Sequence, residues 1–494
     1  MFTRQQILLL VFIIIFLCDV SLSQDTACGI VWQPALKLSP DTLDAYTPTI
    51  ATQCDTIHVT WESQYPSLQV PYRRSLDRGQ TFGEILEMAP FIDSNSLAGG
   101  SKIVVSGKTV YLFYYQRERD NPQPYPPIWM RRSYDRGETW DSARIFFPHI
   151  IRMEQVVCLG DTVAMLFQYL DTLALWYRVL VSTDGGEHWR AGEDSLRGFS
   201  PQIALSRNWL HGVYHRGFEP YSLEVFYKRS SDLGMSWSDS TVLSTLDGYG
   251  GGEPAIVADL GRNVYTAWKE TKYGCFGGFG FSCSVVLRKS IDDGTSWSPE
   301  QVISDEPYGS QIQLASNNQI FAAVWTKEFI NDEYHAVVRL SQDRGNTWCP
   351  VFDLTPDTIG GGLPHVAFST TALQCVWVAY ENSHFIVNHR RGELLPVAVD
   401  EQFDQMPSKF MLEQNYPNPF NGITRVRYGL PRREYVSLKI YNLLGEDIAT
   451  LVDGQTEAGW HEAVWEPAGV SSGVYLLRLI MGKYTTTEKV LYVR

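Results

Sequence analysis

Three carboxylates stand where apolar runs meet polar turns: Glu253 in GYGGGEPAIV, Glu270 in TAWKET and Glu328 in VWTKEF. Glycoside hydrolysis ordinarily needs two carboxyls flanking the scissile bond, one as acid and one as base or nucleophile. The same kind of position carries Tyr380 and Glu381 in WVAYEN, Lys269 and Lys327 beside two of the acids, Arg117 in QRERD, and His215 and Arg216 in HRGFEP. Glu62 ends an earlier run of this type, and Arg152, Glu154 and His365 open others. Such a set suits hydrolysis of a glycan, recognition of a glycan or protein, or plain Lys–Glu ion pairs ringing a channel. There is no G-x-S-x-G elbow and no H-E-x-x-H. The Gly-rich stretches Gly248–Pro254 and Gly360–Pro364 precede strands, not the helix N-terminus that a phosphate would use. No Cys/His spacing fits zinc, so neither metal nor cofactor is expected.

The elements that must position these residues repeat. Ser-x-Asp-x-Gly-x-x-aromatic occurs at Ser75-Asp77-Gly79-Phe82, Ser133-Asp135-Gly137-Trp140, Ser182-Asp184-Gly186-Trp189, Ser230-Asp232-Gly234-Trp237, Ser290-Asp292-Gly294-Trp297 and Ser341-Asp343-Gly345-Trp348. Successive Asp residues lie 48 to 60 positions apart, a period that signals a repeat architecture. The Asp and Ser side chains suit a tight turn, Gly accepts positive φ, and the aromatic is expected to pack back over that turn. A strand-like run precedes each box (strand C) and a short one follows most of them (strand D). Upstream lie two more apolar runs, strands A and B. Four antiparallel strands per unit, repeated round a ring, describe a β-propeller.

Six units carry boxes. A seventh A–B–C set follows in PHVAFSTTALQCVWVAY and HFIVNHRRG, with Asn388–Gly392 read as a degenerate box turn. Its missing D strand has a counterpart at the other end of the chain, in WQPALKLSPD (Trp32–Asp41). Closing a ring with an N-terminal strand leaves no open edge. Seven blades are therefore expected, with six as the alternative. Six near-identical turns cannot build one asymmetric site, so Asp77, Asp135, Asp184, Asp232, Asp292 and Asp343 are structural. With the C–D turns at the bottom, the B–C and D–A loops form the top face, where the charged residues above converge. Tyr65, Tyr125, Tyr221, Tyr249, Phe276 and Phe279 would offer stacking surface there.

Residues 1–23 read as a signal peptide: Arg4, an apolar run from Ile7 to Leu17, then Ser21-Leu22-Ser23. The run is too short to span a bilayer, and no other segment would span one. Of the cysteines beyond it, Cys275 and Cys283 bracket CFGGFGFSC and would staple that loop, whereas Cys54 and Cys158 read as buried thiols. Residues 24–394 form the propeller, 395–410 a linker, and 411–494 a small Ig-like β-sandwich with alternating apolar residues. This last stretch resembles the type A C-terminal sorting domain of the bacterial type IX secretion system. It carries Gln-Asn-Tyr-Pro-Asn-Pro-Phe-Asn from Gln414 to Asn421, Tyr441-Asn442-x-x-Gly445, Ser472-Gly473-x-Tyr475 and a basic end at Arg494, with Gly422 where the pattern has Pro. The resemblance implies a Gram-negative, Bacteroidetes-like source, the type IX machinery as partner of residues 411–494, and a secreted or outer-membrane-surface location.

The net charge of −14 argues against a nucleic-acid partner. The boxes resemble those of sialidase-like (BNR-repeat) propellers. That family implies a Tyr nucleophile paired with Glu, for which Tyr380 and Glu253 are candidates, and an arginine clamp, for which Arg117, Arg152 and Arg216 are candidates. The family's Arg-Ile-Pro is absent, and the first unit offers Tyr72-Arg73-Arg74 instead. The expected function is therefore binding of glycan or protein through the top face. An exo-acting sialidase-type glycosidase using Glu253 with Glu270 or Glu328 is the alternative.

Overall fold

The computed structural model describes residues 24–493 outside the segments 26–27, 64–68, 90–95, 119–125, 148–151, 172–173, 193–195, 220–221, 247–248, 260–261, 277–281, 306–308, 318–319, 329–333, 356–359, 396–409, 416–417, 458 and 468. The signal-peptide and linker readings, and Tyr65, Tyr125, Tyr221 and Phe279, lie outside the described residues. The chain divides into two compact units, before and after Leu395.

The first unit is a ring of seven antiparallel blades, of which the fifth and sixth are joined through a pair at Cys283 and Gly309. Strands A to D are Ala45–Gln53, Thr56–Ser63, Pro71–Ser75 and Leu86–Glu87 in blade 1, and Ser96–Ser106, Thr109–Glu118, Ile128–Ser133 and Arg144–Phe147 in blade 2. Blade 3 has Arg152–Leu159, Thr162–Asp171, Ala174–Ser182 and Arg190–Ala191; blade 4 has Phe199–Leu205, Leu210–Glu219, Ser222–Ser230 and Thr241–Val242. Blade 5 has Gly251–Ala258, Val264–Phe276, Ser282–Ser290 and Gln301–Val302; blade 6 has Gly309–Ser316, Phe321–Glu328, Tyr334–Ser341 and Phe352–Asp353. Blade 7 takes Gly361–Phe368, Ala372–Glu381 and His384–Leu394 from the end of the ring, and Leu36–Lys37 from its start. A further strand, Ile30–Trp32, pairs with the same outer strand. Asn388–Gly392 is therefore extended strand and not a box turn, because the N-terminal segment needs its edge. Each strand A touches strand A of the next blade, and blade 7 touches blade 1 in the same way. The A strands thus line the axis of a closed ring.

Between blades the packing is aromatic. Trp61, Tyr114, Tyr214, Trp268, Trp325 and Trp377 occupy one register position near the end of strand B, and each is buried. Burying such a ring contributes on the order of 4 kcal/mol.

The boxes hold the opposite end. In every box the Ser hydroxyl donates to the Asp carboxylate at 2.7–2.8 Å and accepts the Gly N–H. The Asp also accepts N–H groups further along the turn, as Asp135 does from Glu138 and Thr139. In four blades the residue after the Asp donates its N–H to the A–B turn. The box ring does more than cover its own turn. Trp140 and Trp297 pack edge-on against Tyr72 and Tyr227 of the preceding blade, and Phe82 against His389. Beneath lie buried polar pairs: His58 Nδ1 with the Tyr72 hydroxyl at 2.8 Å, His211 Nδ1 with the Tyr227 hydroxyl at 2.7 Å, and His389 Nε2 with Gln374 Oε1 at 2.8 Å.

Cys28 is disulfide-bonded to Cys349, tying the N-terminal segment to blade 6. Cys283 is disulfide-bonded, and the register places Cys275 directly across from it. Cys54 is exposed in the A–B turn of blade 1, where the chain reverses after its apolar residues have turned inward; it is not a buried thiol. Cys158 is half-buried and donates to Val105 O.

The second unit is a sandwich of three strands (Met411–Leu412, Thr424–Leu430, Gly459–Trp465) on four (Asp447–Thr456, Glu434–Tyr441, Gly473–Met481, Tyr484–Tyr492). Its core includes Val426, Leu438, Trp465 and Leu477. The motif opening this unit is stitched to the last strand: Gln414 and Asn418 both donate to Lys489 O, and Asn418 Oδ1 accepts Leu491 N.

Two outcomes follow. A Cβ on Gly294 would lie 1.9 Å from the Tyr227 hydroxyl, whereas one on Gly107, also at positive φ, meets nothing within 4 Å. Gly294→Ala should therefore cost on the order of 2–3 kcal/mol and Gly107→Ala about 1 kcal/mol in denaturant titrations. His58, His211 and His389 are held down to about 3 by burial and then by neighbouring arginines. The unfolded chain takes up these protons below 6.5, so stability falls as pH drops from 6.5 towards about 3. The loss is about 1.4 kcal/mol per pH unit for each imidazole. Tm should fall between about pH 7 and about pH 4.5, and the slope should flatten in His58→Gln/His211→Gln.

Candidate functional site

A sheet whose innermost strand faces a channel leaves a row of backbone groups there without ladder partners. Every strand A answers with a bulge near its start, at Tyr46/Thr49, Gly99/Lys102, Met153/Gln155, Phe199/Gln202, Gly252/Ala255, Ser310/Gln313 and Gly362/His365. Thr47, Gly100, Ser200, Glu253, Gln311 and Leu363 in these bulges have φ of 44–63°. In blades 2, 5, 6 and 7 the freed N–H points to the preceding blade, which supplies an acceptor. Glu62 takes the Gly100 N–H, His215 Nδ1 takes the Glu253 N–H at 3.3 Å, and Glu253 Oε2 takes the Gln311 N–H at 3.4 Å. The Leu363 N–H goes to Gln311 Oε1 at 3.3 Å and Thr326 Oγ1 at 3.1 Å. Gln155 serves blade 4 likewise, accepting Ile203 N at 2.7 Å.

These joints engage several residues singled out by the sequence. Glu253, His215 and Lys269 do come together, with Lys269 Nζ 2.6 Å from Glu253 Oε1, but as a seam between blades 4, 5 and 6. Glu270 is buried and accepts Trp268 Nε1 at 3.1 Å and Lys272 N at 3.2 Å. Glu328 accepts the Tyr334 hydroxyl at 3.4 Å, and Lys327 pairs with Asp305 at 3.3 Å. Glu381 pairs with Lys37 at 2.6 Å within blade 7, and Tyr380 is exposed against Phe385. Arg117 and Arg216 are exposed, and Tyr249 is half-exposed at 51%.

A different group sits in the channel without such commitments. Lys102, half-buried on strand A of blade 2, makes no hydrogen bond or ion pair among the described residues. It lies in the field of Glu154 and Arg152 of blade 3 and Glu62 of blade 1, and His365 of blade 7 lies in the field of Lys102. Titratable groups of blades 1, 3 and 7 are thus all within electrostatic range of this one side chain of blade 2. Burial pushes the Lys102 amine below its ordinary value, Glu154 and Glu62 opposing, and pushes His365 down to about 3. Burial likewise raises the Glu154 carboxyl, against Arg152, whose Nε is 3.4 Å away. The Tyr115 hydroxyl is buried with no hydrogen-bond partner among the described residues, and it too lies in the field of Glu154 and Arg152. Among the described residues no cluster of His, Cys, Asp and Glu could hold a metal ion.

Sequence reasoning placed Glu154, Arg152 and His365 on this face but missed Lys102 and Tyr115. The signal was present. Thr47-Pro48, Ser200-Pro201, Glu253-Pro254 and Leu363-Pro364 repeat a residue–Pro step before x-Ile or x-Val. Aligning the strands on it puts Lys102 and His365 where other blades have Thr49, Gln202, Ala255 and Gln313.

Residues 414–493 match the family described as the secretion system C-terminal sorting domain. No curated protein matches the chain. In fold the chain is similar to an ulvan lyase described as a new family of polysaccharide lyase, PL25, with a TM-score of 0.51 at 8% identity, over 72% of this chain and 95% of that one. It is also similar to the Hadza microbial sialidase Hz136, with a TM-score of 0.43 at 16% identity over 57% of this chain; the match spans 63% of that sialidase. A third is YCF48 bound to D1 peptide, with a TM-score of 0.43 at 12% identity, over 73% and 94% of the two chains. The fold so defined is an all-β propeller. It carries the sorting domain of type IX secretion, which implies delivery to the outside or to the outer-membrane surface in Bacteroidetes. No described helix is long and apolar enough to cross a membrane.

The joints and the free amine should part under mutation. Glu253→Ala, which removes the ion pair to Lys269 and the side-chain acceptor of the Gln311 N–H, should lower stability by about 1 kcal/mol. Lys102→Met removes a desolvated charge without a partner and should leave Tm unchanged or raise it; a fall in Tm would show the amine to be part of the structural frame.

Proposed function

We propose that the exported propeller is a binding module that takes a glycan or protein ligand into the top mouth of its channel. Lys102 and Arg152 meet polar or anionic groups there, and Tyr115, Glu154 and His365 form the floor. One observation carries this reading: Glu253 and Glu270 are spent on seams and buried bonds, while the Lys102 amine and the Tyr115 hydroxyl have no partner among the described residues. Unpaired polar groups in a concavity favour a ligand that completes them. Arg117 and Arg216, exposed at the ends of strand B, would extend the contact outward.

A second reading, sialidase-type hydrolysis, gains from the neighbourhood of Tyr115, Glu154 and Arg152. A phenol beside a carboxylate is the pairing that such a nucleophile uses, and Tyr115 fits it better than the exposed Tyr380. The binding reading predicts no turnover of fluorogenic glycosides, a sialoside included, by the purified protein. It also predicts retention on a glycan or protein array that is lost in Lys102→Met and Arg152→Gln. Release that vanishes in Tyr115→Phe would replace it with the enzymatic reading.

A further inference from the structure

The turn between Glu434–Tyr441 and Asp447–Thr456 in the C-terminal unit exposes two adjacent leucines. Leu443 is 69% exposed and Leu444 85%. Neither belongs to the sandwich core or to the apolar residues packed against it. Isolated exposed leucines are ordinary; two side by side in a braced turn are not explained by folding. The bracing comes from the residues on either side. Asn442 Oδ1 accepts Leu444 N at 3.0 Å and Glu446 N at 2.9 Å, while its amide donates to Glu446 Oε2 at 2.6 Å. The Asn442 carbonyl accepts Gly445 N, and Gly445 takes φ of 84°. Lys439 and Asp447, 2.9 Å apart, clamp the strands behind it. In Tyr441-Asn442-x-x-Gly445 the named residues thus build a frame whose product is the outward display of the two between them.

We propose that Leu443 and Leu444 are the docking knob of the sorting domain, inserted into an apolar pocket of a protein of the type IX secretion machinery. The occupant is fixed by the match over residues 414–493, within which the turn lies: the domain's partner is that machinery. A preorganised turn binds with little ordering cost, and two adjacent leucines that leave water together in a pocket act as one aliphatic anchor. This inference is independent of what the propeller binds.

The test is export of the full chain in the producing bacterium. Leu443→Ser/Leu444→Ser should lower the exported fraction by roughly tenfold or more, with the protein accumulating in the periplasm. Val464→Ser, at another exposed apolar residue of the same unit, should be exported normally. The purified double variant should unfold at the parental temperature; if it does not, Leu443→Asn/Leu444→Asn, suited to a turn, takes its place. Export at the parental level overturns the proposal. So does leucine-dependent binding to protein-free phospholipid vesicles, or leucine-dependent self-association, with export intact.

Discussion

The inner edges of the seven sheets set the terms for the rest of the propeller. A strand that faces a channel has amides and carbonyls that no further strand will meet, and burying them unpaired would cost more than most packing contacts return. In blades 2, 5, 6 and 7 the bulge answers this by turning one N–H sideways, towards a side chain of the preceding blade. Glu62, His215, Glu253 and Gln311 are all drawn into that task. Where the neighbour offers Tyr115 instead, the pattern lapses, and there Lys102 lies in the field of Glu154.

The ring is therefore polarised by chemistry rather than by shape alone. At the bottom, six Asp boxes hold their carboxylates ionised through hydrogen bonds, first from the Thr139 hydroxyl at Asp135, and four of them, through Phe82, Trp140, Trp189 and Trp297, press their rings onto the blade before. Those turns are saturated with internal bonds and have little left to offer a ligand. At the top, the polar groups serve the seams at blades 4 to 7 and are less committed at blades 2 and 3. Repetition secures the first face; a departure from repetition creates the second.

The propeller was legible because its repeat is carried by residues with narrow geometric jobs: Ser, Asp and Gly in one turn, an aromatic against the preceding blade. Seven blades followed from counting strands and from the match of Trp32–Asp41 to the missing outer strand. Asn388–Gly392 misled because its Gly suggested a turn, whereas the backbone there is held straight by two N-terminal strands. The site was less legible. Charges at strand ends look alike in a sequence, whether they bridge blades, as Glu253 does, or make no ion pair among the described residues, as Lys102 does. Only the bulge register separates them, and it is written in small residues and prolines that carry no charge. The Cys28–Cys349 bond lay further out of reach, since it joins positions 321 residues apart.

Closing blade 7 with the first strands places the two ends of the ring side by side: Leu395 donates its N–H to Gly29 O at 2.8 Å. Tension between the chain that precedes Gly29 and the chain that follows Leu395 would therefore load this one seam. The backbone pairs of Ile30–Trp32 would be pulled in shear, the direction in which many bonds must fail together. The Cys28–Cys349 link gives that load a covalent path into blade 6. Cutting the chain anywhere beyond Leu395 would release the tail without opening the ring.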